Sequence, residues 1–302
     1  MSDRVDTAGM GTSGADADGH IDRLRRYYEE TWFEYRLLWL DPRTRAMHFG
    51  YEQPGVRGHG TSLLALNHVM AEHAGLRAGQ HVLDAGCGVG GTTMWLADVY
   101  SADVVGINVV ADHVERARRY ARERRLFGQV TFEVADYTST PFASGSFEVV
   151  WAQESACHAP DKAAFAAEAF RLLGDGGRLV MAEYVVVDDA RTTAGTSARS
   201  SDLHDWERAW EMTLASASGW TDALIGAGFS DVQVDDITPQ MTRSLRRLRR
   251  LCFVLAPVAH LLHGLRFRTQ TQQRNIAGSL AMCRALDRGE WRYAIITATR
   301  AR

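Results

Sequence analysis

Apolar positions along the chain recur with two alternating periods. From Ile21 to Leu40, IDRLRRYYEETWFEYRLLWL sets apolar and aromatic side chains at helical spacing, and Pro42 closes the stretch. MHFGYEQPG then reads as a loop and TSLLALNHVMAEHAGL as an amphipathic helix. From His81 onward, apolar runs of strand length alternate with helical patterns. HVLDAG precedes GTTMWLADVY, and DVVGINVV precedes ADHVERARRYARERR. QVTFEVAD is followed by a turn holding Pro141 and Gly145, SFEVVWAQ leads to DKAAFAAEAFRLL, and RLVMAEYVVV comes next. The GDGG run reads as a glycine cluster capping the helix before it. Strands that alternate with helices predict an α/β fold whose parallel, doubly wound sheet is covered on both faces. Beyond Asp189 the regularity loosens. ARTTAGTSARSS reads as loop, HDWERAWEM and GWTDALIGAGF as helices, and DVQVDDIT as a strand. A long helical stretch from Met241 to Asp287 is interrupted at Pro257 and Gly264, and WRYAIITATR predicts a last strand. No repeat at solenoid spacing is present.

These patterns divide the chain into a tail at 1–20 expected to be disordered, an N-terminal helical cap at 21–75, a ligand-binding core at 76–189, and a region at 190–302 of lid insertions and remaining strands. The 302 residues are 46% hydrophobic and 24% charged with formal net charge −3, an ordinary globular balance that argues against a nucleic-acid binder. Cys87, Cys157, Cys252 and Cys283 lack CxxC spacing and are expected to be reduced thiols, with neither a zinc site nor a disulfide framework. No apolar run approaches the roughly 18 residues of a membrane span, and no signal-peptide core opens the chain. The expectation is a cytoplasmic protein.

Candidate chemistry begins at VLDAGCGVGG, which sits between a strand and a helix. Gly86, Gly88 and Gly90 remove side chains where backbone N–H groups and a helix N-terminus would approach a ligand. The loop departs from GxGxxG, because Gly90 intrudes between Gly88 and Gly91. Asp84 just before it suits an ammonium group, and so an amino-acid-bearing cofactor better than a pyrophosphate.

DAGCGVGG, VVGINVV, VADYTSTPF, FEVVWAQESACHAP and LLGDGGRLVMAE, in this order and spacing, resemble the class I S-adenosylmethionine (SAM) methyltransferases over roughly 80 to 188. The resemblance implies a Rossmann-like sheet of seven strands ordered 3-2-1-4-5-7-6, with the antiparallel strand supplied by RYAIITATR. It places Asp84, Gly86, Cys87 and Gly88 at the methionine part of SAM. Asn108 and Val109 fall at the ribose, Asp136 and Tyr137 at the adenine, and Gln153 nearby. Where the family usually carries an acid to grip both ribose hydroxyls, this chain has Asn108, which can still hydrogen-bond one.

The acceptor is read from Glu154, which follows a core strand at the sheet edge where such folds bind ligands. Methylating an alkene carbon leaves a carbocation that needs a carboxylate in a dry pocket, aromatic faces and exclusion of water. AQESACHAP resembles the corresponding segment of sterol C-methyltransferases and, more loosely, prenyl-diphosphate C-methyltransferases. The aromatic N-terminal region and HFGYE share that resemblance. Tyr27, Tyr28, Trp32, Tyr35, Trp39 and Tyr51 thereby become candidate walls, with core packing as the alternative for each. Tyr51 is also a catalytic candidate. His158 is either a structural hydrogen-bonder or a base. Trp206, Glu207 and Trp210 are candidate lid residues, with Trp210 limiting chain length.

RSLRRLRRLCFVLAP places Arg243, Arg246, Arg247 and Arg250 on one helical face. Such a row can fork onto phosphate oxygens, form a solvated face, or meet an anionic membrane peripherally. The expectation is a SAM-dependent C-methyltransferase of an isoprenoid alkene, with a short prenyl diphosphate such as geranyl diphosphate as the leading substrate. Mg²⁺ would accompany the diphosphate, although no DDxxD-type cluster supplies ligands. Alternatives are a sterol C-methyltransferase, an O- or N-methyltransferase of a small natural product, and a non-methylating SAM-binding protein or cyclase. A homo-oligomer is compatible with all of these.

Overall fold

The computed structural model describes residues 14–126, 128–188 and 200–301. Helix α1 (Gly14–Glu34) continues into a π turn (Tyr35–Trp39), and α2 (His59–Ala74) precedes the sheet. The α/β units follow: β1 (His81–Ala85), α3 (Gly91–Tyr100), β2 (Asp103–Asn108), α4 (Ala111–Glu123), β3 (Val130–Val134), β4 (Phe147–Gln153), α5 (Lys162–Leu172) and β5 (Leu173–Val186). Then come α6 (Ser201–Ala209), a short β6 (Ala215–Ser216), α7 (Ala217–Gly226), β7 (Phe229–Asp236), α8 (Thr238–Gly264), α9 (Gln270–Asp287) and β8 (Trp291–Arg300).

The sheet runs β3-β2-β1-β4-β5-β8-β7, with β6 hydrogen-bonded to β5 off that path. All pairs are parallel except those of β8, which runs antiparallel to both β5 and β7. With the two-residue β6 left out of the count, this is the expected 3-2-1-4-5-7-6 order. Alternation along the strands feeds two apolar layers. Val180, Ala182 and Tyr184 of β5 join Trp291, Tyr293 and Ile295 of β8 in the layer under the helical cap. Leu179 and Met181 join Ala294, Ile296 and Ala298 in the opposite one.

Three local readings are corrected. The tail assigned to 1–20 is helical from Gly14, and the buried His20 ring ties α1 to the core through a 2.7 Å bond from Nε2 to the His158 carbonyl. The GDGG run does not cap α5. Leu173 is already extended, and the run forms the start of β5. Pro257 does not interrupt α8, because its missing N–H would have bonded the Phe253 carbonyl, on a side of the helix that faces solvent. Most of the ARTTAGTSARSS loop lies outside the described residues.

Candidate active site

The carboxyl ends of β1, β2 and β4, with the loops that follow them, form the floor of a deep cavity. Its roof comes from α1, the π turn, the Met47–His48 loop, α8 and α9. Asp84, Gly86, Cys87, Gly88, Asn108, Val109, Tyr137 and Gln153 all line it. Gly86 has φ +91°, and a Cβ there would sit 2.4 Å from the Ser155 Cβ. Glycine is therefore required by the seating of the 154–158 segment against the loop, as well as by any ligand.

Asp84 is buried and accepts a 2.5 Å hydrogen bond from Thr93 Oγ1, and burial pushes its pKa up to about 6. A buried carboxylate of this kind suits a cationic ligand group. Asn108 Oδ1 accepts from Val110 N at 2.8 Å, so the side chain's remaining donor is its NH₂ group. Gln153 is held at both ends, by Thr92 Oγ1 at 3.0 Å and by Asn67 Oδ1 at 3.1 Å, so it shapes the floor. Tyr137 donates to the Ser155 carbonyl at 2.9 Å and presents its ring.

Glu154 is a half-buried residue of the lining. It has φ +51°, a left-handed conformation costing roughly 1–3 kcal/mol in a non-glycine residue. Its Oε1 accepts from Phe49 N and from Tyr293 OH, both at 2.7 Å, and Oε2 accepts from Tyr184 OH. Burial still dominates over these donors and raises its pKa to about 7. A carboxylate offers about four lone-pair sites, so three donors leave acceptor capacity toward the cavity.

Tyr28, Tyr35, Trp39 and Trp210 also line the cavity. His158 lines it too, but both ring nitrogens are engaged. Nδ1 faces the Glu211 carbonyl at 3.0 Å and therefore donates, so Nε2 accepts from Tyr28 OH at 3.1 Å. Burial lowers its pKa to about 4, which makes the ring a neutral post for Tyr28 and not a free base.

Other expected residues fall elsewhere. Tyr51 packs beside the core without lining the cavity, and its peptide N–H bonds the Ser62 carbonyl at 2.8 Å. Asp136 also lies off the lining. Its Oδ1 is spent on Thr138 N and Oγ1 at 2.8 Å each, closing an Asx turn. Trp32 stacks under Arg116 outside the cavity, Tyr27 is buried behind Tyr35, and Trp206 and Glu207 are buried core residues. Arg243, Arg246, Arg247 and Arg250 point to solvent, because α8 turns Leu248, Leu251, Cys252 and Leu255 to the cavity instead. They do not form a clamp inside it. Mg²⁺ likewise finds no ready ligand set, since no group of three His, Cys, Asp or Glu side chains that could hold a metal stands together among the described residues. The four cysteines are buried, free thiols.

Comparison with known proteins matches residues 83–181 to the methyltransferase domain family. That stretch is a methyltransferase domain. The chain is 35% identical over 168 residues to an O-methyltransferase, cnsE, of Penicillium expansum, covering 56% of this chain and 58% of that one. It spans little more than half the length of such curated relatives, 58% and 53% for two of them. The [4+2]-cyclase SpnF superposes with TM-score 0.67 at 25% identity, covering 85% of this chain and 87% of the other. Geranyl diphosphate C-methyltransferase from Streptomyces coelicolor A3(2), in complex with Mg²⁺, geranyl-S-thiolodiphosphate and S-adenosyl-L-homocysteine, superposes with TM-score 0.74 at 19% identity over 93% of this chain and 98% of that one, which shows the shared fold.

Several residues of the candidate site were missed from the sequence. Tyr184 and Tyr293 complete the Glu154 cradle from β5 and β8, and Glu183 accepts from Ser155 N and Ala156 N to fix the same segment. Burial raises the Glu183 pKa. An acid within the apolar run VMAEYVV was the available signal, since a buried strand carries one only for a partner. His48 gave no signal. Its Nδ1 faces the Phe49 carbonyl at 2.7 Å, while Nε2 is buried on the cavity wall without a protein partner. His113 Nε2 is placed similarly.

Proposed function

We propose that this chain is a SAM-dependent C-methyltransferase acting on the alkene of an isoprenoid. The single observation that carries the reading is Glu154, a half-buried carboxylate in strained backbone that lines the cavity and is cradled by two tyrosines and a peptide N–H. SAM, when bound, supplies an activated methyl on a sulfonium. Asp84 would hold its ammonium group, and Asn108 and Tyr137 its ribose and adenine.

The rest is the chain's own work. Tyr28, Tyr35, Trp39 and Trp210 exclude water and offer ring faces to positive charge. As the alkene π pair forms a C–C bond to the methyl and the S–C bond breaks, a carbocation remains on the acceptor. Ionised Glu154 offsets that charge, and the proton lost in re-forming the double bond passes to its free acceptor site. Pre-set donors hold the carboxylate still, so little reorganisation accompanies the charge.

The far roof, with Leu248, Leu251, Leu255 and Ile276 beside Asn275 and Ser279, suits a hydrocarbon chain with a neutral polar end. Arg268 is ion-paired with the lining residue Glu34, and Arg45, the arginine of the lining, is stacked on Tyr120. A diphosphate head therefore draws less support than an uncharged one.

The test is a panel of geraniol, geranyl diphosphate, a Δ24 sterol, a phenol and an amine with labelled SAM, scored by product mass. An alkene acceptor gaining one methylene supports the reading. Label transferred only to the phenol or amine overturns it. Cyclisation of a polyene with no label transferred would favour the role suggested by the likeness to SpnF.

A further inference from the structure

The outer face of α8 has no task in the site described above. At about 100° per residue, Arg243, Arg246, Arg247 and Arg250 fall on the same face as Phe253, Val254, Val258 and Leu261, so one stripe is basic in its first half and apolar in its second. The apolar half is bare. Phe253 is 75% exposed, Val254 69% and Leu261 63%, and Phe267 just beyond the helix is 77% exposed. Of the large apolar side chains exposed among the described residues, all but Val99, Val134, Val187 and Ile225 lie on α8, at its exit, or at Phe33 and Leu37 on the adjoining end of α1 and π turn. Single exposed apolar residues need no explanation, but a concentration of this kind marks a contact surface.

Charge decides what it contacts. Between Thr238 and Arg268 the sequence has arginines at 243, 246, 247, 249, 250, 266 and 268 and no acid. Arg243 pairs with Glu52, Arg249 with Asp287 and Arg268 with Glu34. Among the described residues, no carboxylate stands within ion-pair range of Arg246, Arg247, Arg250 or Arg266. A bare cationic row running into a bare apolar end complements a surface that is anionic outside and hydrocarbon beneath.

Position fits as well. The inner face of α8 lines the cavity through Leu248, Leu251 and Leu255, and the π turn lines it through Tyr35, Leu38 and Trp39. Arg247 joins these two elements through a 3.4 Å bond to the Leu38 carbonyl. The bare patch is therefore the outside of the cavity roof.

We propose that this face docks the protein on an anionic phospholipid bilayer, with Phe253, Val254, Leu261 and Phe267 entering the acyl boundary and Arg246, Arg247 and Arg250 meeting phosphates. The experiment is flotation of the full chain with phosphatidylcholine vesicles, with and without phosphatidylglycerol, across a salt series. Binding is expected only with phosphatidylglycerol, weakening as salt rises. Arg246→Ala with Arg250→Ala should weaken it about thirtyfold, and Phe253→Ser with Leu261→Ser should also release the protein while leaving the thermal melt unchanged. The proposal is overturned if phosphatidylglycerol vesicles fail to carry the protein, or if both double variants float like the parent. It is also overturned if light scattering shows a dimer that Phe253→Ser with Leu261→Ser dissociates, since a second copy would then cover the face. Flotation reads the surface alone, so the identity of the methyl acceptor does not affect the outcome.

Discussion

Glu154 and the arginines of α8 stand on opposite sides of the cavity wall and differ in almost every physical respect. Glu154 is half-buried in the cavity wall, fixed by three donors, and shifted to a pKa of about 7 by desolvation. Arg243, Arg246, Arg247 and Arg250 are wet and lie on the outside of the roof. A charge held away from water can respond to positive charge appearing beside it with little loss to screening, whereas solvated charges act on partners that come to the surface. The contrast underlies the two proposals, chemistry at the first and docking at the second.

The largest expected effect comes from removing the inner charge. Glu154→Gln keeps size and donors in place, so SAM affinity measured by calorimetry should stay within about twofold while kcat falls roughly 10²–10³-fold. Turnover near the parent rate would return Glu154 to a structural role. Next is Gly86→Ala, which forces a side chain into φ +91° and against Ser155. Urea unfolding should show a loss of about 3 kcal/mol. Asp84→Asn should then weaken SAM binding by about tenfold, as a buried charge-assisted contact becomes a neutral one. The smallest effect belongs to the outer charge. Arg243→Ala should change kcat/KM for any soluble acceptor, geranyl diphosphate included, by no more than about twofold. A large rise in KM for the diphosphate alone would bring that row back into the site.

The same division shows what could be read from the sequence. Strand and helix periodicity, together with VLDAGCGVGG, placed Asp84, Gly86, Cys87, Gly88, Asn108 and Val109 on one cavity, because a strand–loop–helix unit fixes its own geometry locally. Glu154 was legible for the same reason, since it ends a core strand. Its cradle was not. Tyr184 and Tyr293 come from antiparallel partners far apart in sequence, and only the pairing of β5 with β8 brings them together. The arginine spacing correctly gave one helical face, but spacing along a helix does not say which face a distant element covers. Asp136 stands off the lining, its Oδ1 taken by the Thr138 N–H and hydroxyl in a local turn that spacing alone does not reveal.

Burial also sets opposing pH dependences. Glu154 is protonated in the folded state up to about 7 against an ordinary 4.5, so its contribution to stability falls as pH rises through that window. His48 and His158 are held neutral, with pKa values of about 4 against 6.5, and their contribution is lost as pH falls from 6.5 toward 4. The form of Glu154 able to offset a cation is thus the less stable one.

That places the decisive measurement on the rate as a function of pH. With an alkene acceptor from the panel, kcat/KM of the wild-type protein should climb about tenfold per pH unit below an apparent pKa near 7 and level off above it, while Glu154→Gln should show a low, flat profile. A wild-type profile with no inflection, or the same inflection surviving in the variant, would contradict the assignment of Glu154 as the anion that receives the charge.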